Sequence, residues 1–521
     1  MSPSASTGRE HLRSGGGDEG GGDGRRFRAR LRTLWLRWRS RSEKPVHVLM
    51  VDTANWAGIK WSKVFAGSYW VQKLYAVDRV TPNDLINLAR SRSDGEAEFI
   101  EWDDRDVEQV AYRGYSLWEL SKTGILASLE WTQLPAPLDE RTRRVVQYYF
   151  ERMKRLIDGI EEYYDAHPVD TVVVSQGASP MSRPFVEAAR RRGINVVATE
   201  NSFLGEYFIA DNATGMIINR HRASRLAGDY LPVNMVSENE RVEFQERLAR
   251  ARRRKLKEHS TGQNPQPGVS DDLFRRIAGR RVALFLGQVM VDASIIMDGG
   301  DFKNPIDLIV RCVEYFAKQP DWHLIIRLHP KESTGKSWVN TADSFGVPPG
   351  EPQGPLPYDN LTYRMLVERL GSDHGTWYEI IPDAGTSTDE LMDLADVGIT
   401  ITSQAGLEMA LKHKRVVVCG DAFYARKGFT YDVGRDNQLE TTLNEALRQL
   451  QMTESECHAA DRFGKYLLDE FFFPRHMRGQ WARFFRLIEG GRIFGIRAEM
   501  LKRAVAQMEE LSREGTIFSA K

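Results

Sequence analysis

Short Val- and Ile-rich runs recur along this chain, and most stop on polar residues or glycine just before a helical stretch begins. Residues 46–52 read VHVLMVD, 169–177 VDTVVVSQG, 194–200 INVVATE, 281–289 RVALFLGQV, 322–330 WHLIIRLHP, 377–382 WYEIIP, 397–404 VGITITSQ and 415–420 RVVVCG. Runs this short and this apolar suit strands covered on both faces. Between them the apolar spacing changes period. Val145, Tyr148, Tyr149, Met153, Leu156 and Ile160 fall on one helical face within 139–165. Strand and helix in alternation imply parallel sheets joined by crossovers, an α/β architecture. The pattern pauses once. A charged helix over Glu238–Glu258 gives way to HSTGQNPQPGVSDD at 259–272, which reads as a linker. Two Rossmann-like domains facing a central cleft are therefore expected, 45–258 and 273–477, with C-terminal helices over 478–521. A chain of 521 residues can bury two such cores.

The flanks differ in kind. Residues 1–24 are rich in Gly and Ser, and a disordered arm is expected. Residues 25–44 hold nine basic residues and one acid, with Phe27, Leu31, Leu34, Trp35, Leu36 and Trp38 among them. A basic amphipathic stretch with Trp suits an anionic membrane surface; the alternative is a basic arm packed on its own domain. No apolar run is long enough to span a bilayer, and the first residues lack the apolar stretch of a secretory signal. Cys312, Cys419 and Cys457 are far apart. That usage fits a reducing cytoplasm and no thiol-rich metal site. Lys plus Arg equals Asp plus Glu, so the overall charge gives no reason to expect a nucleic-acid partner.

In open α/β sheets ligands sit beyond the carboxyl ends of the strands. The polar clusters of this chain fall there. RLHPKE places Arg327, His329, Pro330, Lys331 and Glu332 after one strand, where an imidazole N–H and two cations suit a phosphate oxygen. The plainer alternative is a histidine that caps the strand. TSQAGLE brings Ser403, Gly406 and Glu408 to a helix start, where free N–H groups favour an anion; the alternative is an ordinary Ser cap. Glu200 ends another run and is a candidate base or nucleophile, with Asp211 a second. LGQVMVDASI sets Gln288 and Asp292 toward the cleft, with Gly287 for a tight turn. The loop after 415–420 carries Phe423, Tyr424, Arg426 and Thr430. WDDRD at 102–106 reads as a solvated loop. STGKS at 333–337 is too weak an echo of a P-loop to imply nucleotide hydrolysis.

In this order, SQGASPMSRPFVEAARRRGINVVATENSFLGEYFIAD, LGQVMVDASI, RLHPKE and TSQAGLEMALKHKRVVVCGDAFYARKGFTYD, the motifs resemble the capsule polysaccharide biosynthesis and export family, which includes bacterial β-Kdo transferases. The resemblance covers roughly residues 165–435, and the last block is its most specific part. It implies a GT-B-like fold, a CMP-activated Kdo donor and a lipid-linked glycan acceptor. It implies that His329, Pro330, Ser403 and Gly406 bind the nucleotide phosphate and that Glu408 lies near the nucleotide. Tyr424, Arg426 and Thr430 would line the loop near the donor. It implies catalysis from the acidic motif of the first domain, with no metal and no cofactor. One departure is visible. The family's two acids and Gly are replaced by Glu200-Asn201-Ser202, and its Arg-Pro by Gly205-Glu206. Glu200 or Asp211 is then the acid expected to act.

The expected activity is transfer of a sugar to a lipid-linked or polysaccharide acceptor. It would take place in the cytoplasm or on the inner-membrane surface, next to capsule export machinery. Two other readings are compatible with the motifs. One is a sugar-nucleotide epimerase of the same architecture. The other is a non-catalytic assembly partner, suggested by Asn201.

Overall fold

The computed structural model describes residues 34–36, 43–51, 61–66, 68–92, 100–216, 219–226, 237–260, 270–330, 332, 350, 360–382, 386–449, 451–491 and 493–514. The Gly/Ser-rich arm, most of the basic stretch, residues 261–269 of the 259–272 linker, and most of the 334–358 loop lie outside them; 259 and 260 belong to the helix that ends at Ser260.

The strands, numbered along the chain, are β1 (Val46–Val51), β2 (Tyr75–Val80), the short hairpin β3 (Ala111–Tyr112) and β4 (Tyr115–Ser116), β5 (Thr171–Ser175), β6 (Asn195–Asn201) and β7 (Tyr207–Asp211). The second half adds β8 (Arg281–Leu286), β9 (Trp322–Arg327), β10 (Tyr378–Ile381), β11 (Val397–Thr400), β12 (Arg415–Val418) and β13 (Tyr431–Asp432), and β14 (Phe473–Pro474) follows. Each apolar run of the sequence is a strand.

The first sheet has the order β14-β7-β6-β5-β1-β2. Its β2, β1, β5 and β6 are parallel, while β7 runs against β6 and β14 against β7. The second sheet is parallel throughout in the order β10-β9-β8-β11-β12-β13. This is the doubly wound order in which the chain reverses its direction of travel across the sheet between β8 and β11. In the first sheet the reversal lies between β1 and β5. In open α/β sheets ligands bind at such reversal points, beyond the carboxyl ends of the strands.

Helices cover both faces. Helix Glu140–Ala166 starts at Asp139, whose carboxylate accepts from Thr142 N–H at 2.7 Å, and it buries Val145, Tyr149, Phe150, Met153, Leu156 and Ile160 against the first sheet. Its Gly159 lets helix Pro82–Arg92 approach, since a Cβ there would overlap the Leu85 backbone.

The domain limits differ from expectation at the C-terminal end. The chain returns to the first sheet already at β14, before residue 478. Helices Trp481–Glu489 and Gly495–Glu514 then cover the face of β1, β5, β6 and β7 that carries Met50, Val173, Val197 and Phe208. Thr171 Oγ1 donates to Ile488 O at 2.6 Å, and Asn195 Nδ2 to Leu487 O at 2.8 Å. Leu36 is buried in the same cluster, while Leu34 and Trp35 are exposed. Helix Glu238–Ser260, read from sequence as the end of the first domain, packs on helix Glu454–Tyr466. Arg241 and Gln245 reach the fully buried Asp461 at 2.9 Å each, and His413 Nε2 reaches it at 2.8 Å. Burial alone would raise this carboxyl, but those three partners hold it below the ordinary aspartate range.

Candidate functional site

The end of β5 is bent sharply. Gln176 takes φ 53° and Gly177 φ 77°, two successive left-handed residues. Glycine is required at the second, because a Cβ would overlap the Gly215 carbonyl oxygen. A glutamine in this conformation is uncommon and must be held by its surroundings. Its N–H donates to Thr199 O at 2.9 Å, and its side-chain Nε2 donates to Glu200 Oε1 at 3.2 Å. Glu200 sits one residue from the end of β6, partly open to the cleft but surrounded by protein. Desolvation, and then the charge of Asp292 from the other half, push it from 4.5 to about 8, against the pull of Gln176. Among the described residues Glu200 Oε2 has no hydrogen-bond partner.

The facing crevice is built from β8 and β11. Gly287 donates its N–H to Arg327 O at 2.8 Å, and a Cβ at Gly287 would lie 2.7 Å from that oxygen. The glycine is there for close approach of β8 and β9, not for the tight turn expected. Gln288 bridges the reversal point. Its Nε2 donates to Ser294 Oγ at 2.9 Å and to Thr402 Oγ1 at 3.1 Å, and its Oε1 accepts from Thr402 N–H at 2.9 Å. Ser294 in turn donates from N and Oγ to Asp292 Oδ1 at 2.8 and 2.7 Å. Asp292 thereby caps helix Ala293–Asp298 and keeps Oδ2 without a partner among the described residues. Glu200 lies near the end of β6 in the first sheet, and Asp292 caps the helix that follows β8 in the second half.

A short strap holds the halves together here. Arg220 Nε donates to Asp298 Oδ1 at 2.9 Å, Phe423 N–H to Asn219 Oδ1 at 3.0 Å, and Lys427 Nζ to Ser224 O at 2.9 Å. His221 lies between the Phe423 and Phe471 rings, 4.8 and 4.7 Å away. Burial, and then the nearby Lys427, push it down to about 3, so it is neutral at physiological pH.

The other sequence candidates divide. His329 and Pro330 follow β9, half-buried at its carboxyl end, and Lys331 lies outside the described residues. Arg327 is not a ligand group of the crevice. It is buried, with its guanidinium donating to Thr388 Oγ1 and to the carbonyls of Ile381 and Thr386 at 3.0–3.3 Å, and it fastens β9 to the loop beyond β10. Glu332 is likewise internal, accepting from Met290 N–H, Thr362 N–H and Thr362 Oγ1. Ser403 is a helix cap, accepting from Ala405 N–H at 3.3 Å at the start of Gln404–Ala410. Gly406 is a packing glycine, since a Cβ would strike the Tyr424 hydroxyl and Thr400. Tyr424 is fully buried rather than displayed on a loop, and its hydroxyl donates to Ser403 O at 2.5 Å. Glu408 stands past the first turn of that helix and is buried. Arg426 is exposed and paired with Asp421 at 2.6 Å, and Thr430 Oγ1 donates to Asp432 at 3.0 Å. Asp211 is 1% exposed; its Oδ2 accepts from the N–H groups of Ala213 and Arg222 at 3.0 and 3.2 Å, bracing the strap, while its buried Oδ1 has no hydrogen-bond partner among the described residues and lies 3.5 Å from Arg222 Nε. The acidic candidate open to the crevice is Glu200. Ser294 and Thr402, which join Gln288 to Asp292, lie within LGQVMVDASI and TSQAGLE but are not singled out by the sequence reading of those blocks.

The packing role of Gly406 gives a direct expectation. Gly406→Ala must displace a fully buried tyrosine, so it should lower stability by about 1–3 kcal/mol. A shift in the urea midpoint at unchanged slope would register it.

Comparison with known proteins agrees with the resemblance over the second half. Residues 361–460 match the family described as capsule polysaccharide biosynthesis protein, a segment that contains the most specific block, 401–432. Over 77 residues the chain is 32% identical to the capsule polysaccharide export protein KpsS of Escherichia coli; the match spans 15% of this chain and 20% of that protein. Among solved structures, KpsC β-Kdo 2,4 transferase of Thermosulfurimonas dismutans aligns with 56% of this chain and 79% of its own at 18% identity and a TM-score of 0.35. The UDP-GlcNAc 2-epimerase of Methanocaldococcus jannaschii, in complex with UDP-GlcNAc and UDP, aligns with 82% and 99% at 12% identity and a TM-score of 0.33. The fold is read from the strand order above.

Proposed function

For a chain whose residues 361–460 match the capsule polysaccharide biosynthesis family, we propose a glycosyltransferase that moves a sugar from a nucleotide donor to a glycan or lipid-linked acceptor in capsule synthesis. The observation that carries this reading is Glu200, one residue from the end of β6, held through Oε1 by Gln176 at the turn beyond β5 and with Oε2 unpartnered among the described residues. A carboxyl group whose proton affinity lies near the working pH is suited to general-base catalysis. The acceptor hydroxyl oxygen attacks the anomeric carbon. The bond from that carbon to the nucleotide phosphate oxygen breaks, its electrons stay on the phosphate, and the hydroxyl proton passes to Glu200.

The donor in this proposal is a CMP-sugar, with CMP-Kdo the first to try. His329, after β9, would meet its phosphate, and Gln288 would fix the loop beneath it. The reading uses no metal. Exposed Leu34 and Trp35 beside the buried Leu36 support a peripheral attachment of the basic stretch 25–44 to the inner membrane, near the acceptor. No helix among the described residues is long and apolar enough to cross a membrane. The Escherichia coli relative is a capsule polysaccharide export protein, and capsule export machinery is accordingly a proposed partner.

Calorimetry with CMP, UDP and GDP tests the donor. CMP is expected to bind best, and His329→Ala to weaken it by about 1–3 kcal/mol, the cost of losing a hydrogen bond to a charged group. Preference for UDP would replace the CMP-sugar assignment. A carboxyl group raised to about 8, as Glu200 is, also suits proton exchange at a sugar carbon, which is the epimerase reading. Turnover of a nucleotide sugar without acceptor would favour it.

A further inference from the structure

We propose that Arg183 binds an oxyanion of the substrate, a phosphate or a carboxylate, and that the Met297 side chain covers it until that group arrives. A nucleotide-sugar transferase would be supplied with such a group, and to that extent this role rests on the function proposed above.

Arg183 opens helix Arg183–Arg191, which leaves the turn beyond β5 that also carries Gln176. Its guanidinium lies where the two halves of the molecule meet. Nη2 donates to Glu119 Oε2 at 3.2 Å, on helix Leu117–Leu129 of the first half. Nη1 reaches helix Ala293–Asp298 of the second half, where its neighbour is the Met297 sulfur at 4.0 Å. Nε is buried and has no hydrogen-bond partner among the described residues.

This is a poor set of partners for a buried cation. A guanidinium keeps its charge and presents five N–H groups, while a thioether is a weak acceptor. Glu119 is shared, since its Oε1 accepts from Lys122 Nζ at 2.7 Å. Glu187, one turn along the same helix, adds its charge without a hydrogen bond to Arg183 among the described residues. Asp298, the carboxylate next to Met297, is taken by Arg220, whose Nε donates to Oδ1 at 2.9 Å and whose Nη2 donates to Met297 O at 3.3 Å. Two guanidinium groups therefore close on Met297. The Arg220 side chain is 39% exposed and holds the buried acid, while the Arg183 side chain is 9% exposed and has half a share in a partly exposed one. An ion pair built for stability alone would give the better acid to the more buried cation. An oxyanion in place of the sulfur would supply the strong acceptor that Nη1 lacks. Met297 suits a removable cover, being half-buried and carried on an unbranched side chain with three rotatable bonds.

Protein carrying [13Cε]-methionine would be titrated by NMR with inorganic phosphate and, separately, with acetate at constant ionic strength, the Met297 signal being assigned by its loss in Met297→Leu. Both anions should move that signal. Arg183→Gln should weaken the phosphate response about tenfold, as expected for a lost charge-assisted hydrogen bond, and Arg183→Lys should lose less. Met297→Ala uncovers the cation and should bind phosphate more tightly by calorimetry. A Met297 signal that ignores both anions would overturn the proposal, as would an Arg183→Gln protein that responds like the wild type. If Arg183→Gln does not fold, the wild-type titration and Met297→Ala still decide. A third titration, with CMP, separates the sources of the anion. A shift with CMP assigns the site to the nucleotide phosphate of the donor; a shift with phosphate and acetate but none with CMP assigns it to the sugar or the acceptor. Phosphate binding at Arg183 in a protein that binds no nucleotide would reject the donor assignment and leave this site standing.

Discussion

Glu200→Gln should slow sugar transfer by about 10²–10⁴-fold, the usual range for removing a general base, and should also make the protein more stable in mild alkali. The two effects share one cause. Desolvation, and then the charge of Asp292, raise the Glu200 carboxyl from 4.5 to about 8. A folded-state value above the unfolded one means that the native protein holds a proton that the unfolded chain has released. This contribution favours the fold below about 4.5 and is lost progressively as pH rises through about 8. The neutral glutamine has no such loss, so the melting temperature of the variant should exceed that of the wild type increasingly from pH 5 to pH 8. A base must be ionised to act, so wild-type kcat/KM should rise with pH through about 8. Stability and activity then run in opposite directions over the same interval. A variant that keeps the wild-type rate, or a rate profile that falls through that interval, would remove Glu200 from the role of base.

The second large effect lies far from the cleft. Trp481→Ala should cost about 3–5 kcal/mol, the range for truncating a buried aromatic, read as a drop in the urea midpoint. Trp481 is fully buried, stacked on Phe485 at 5.7 Å and edge-on to Phe484 at 6.3 Å. Its indole N–H donates to Ser512 Oγ at 2.7 Å, so truncation also leaves a buried hydroxyl without its donor. Trp481→Phe keeps most of the ring contacts and should lose far less. If both variants match the wild type, these helices do not stabilise the first sheet.

What could be read from the sequence follows the range of the forces involved. Runs such as VVVS and ALFL are set by local pattern, and they became β5 and β8 within a few residues of expectation. The site was legible as a place, the strand ends, but less so residue by residue. Arg327 and Tyr424 look like ligand groups in sequence because one is charged and the other sits in a polar loop. Their partners, the carbonyls of Thr386 and Ile381 for one and of Ser403 for the other, are fixed only by tertiary packing. Gly406 reads as a phosphate glycine for the same reason. The tyrosine that needs the space lies many residues further along the chain. The return of β14 to the first sheet could not be read, because a strand of two residues has no periodicity.

That return sets an order of events during synthesis. Thr171 on β5 and Ile488, whose carbonyl accepts its hydroxyl, are 317 positions apart. At ordinary elongation speeds a ribosome needs roughly 15–60 s to cover that distance. Throughout this interval Val173, Val197 and Phe208 lack the two C-terminal helices of their cluster, and only helices Trp61–Ala66 and Tyr69–Leu74 of it have been made. The second sheet, by contrast, is assembled entirely from strands made within it. The half of the molecule that is translated first is therefore the last to close, and until residue 514 has emerged the nascent chain carries a partly open apolar sheet face that a chaperone or a neighbouring chain can occupy.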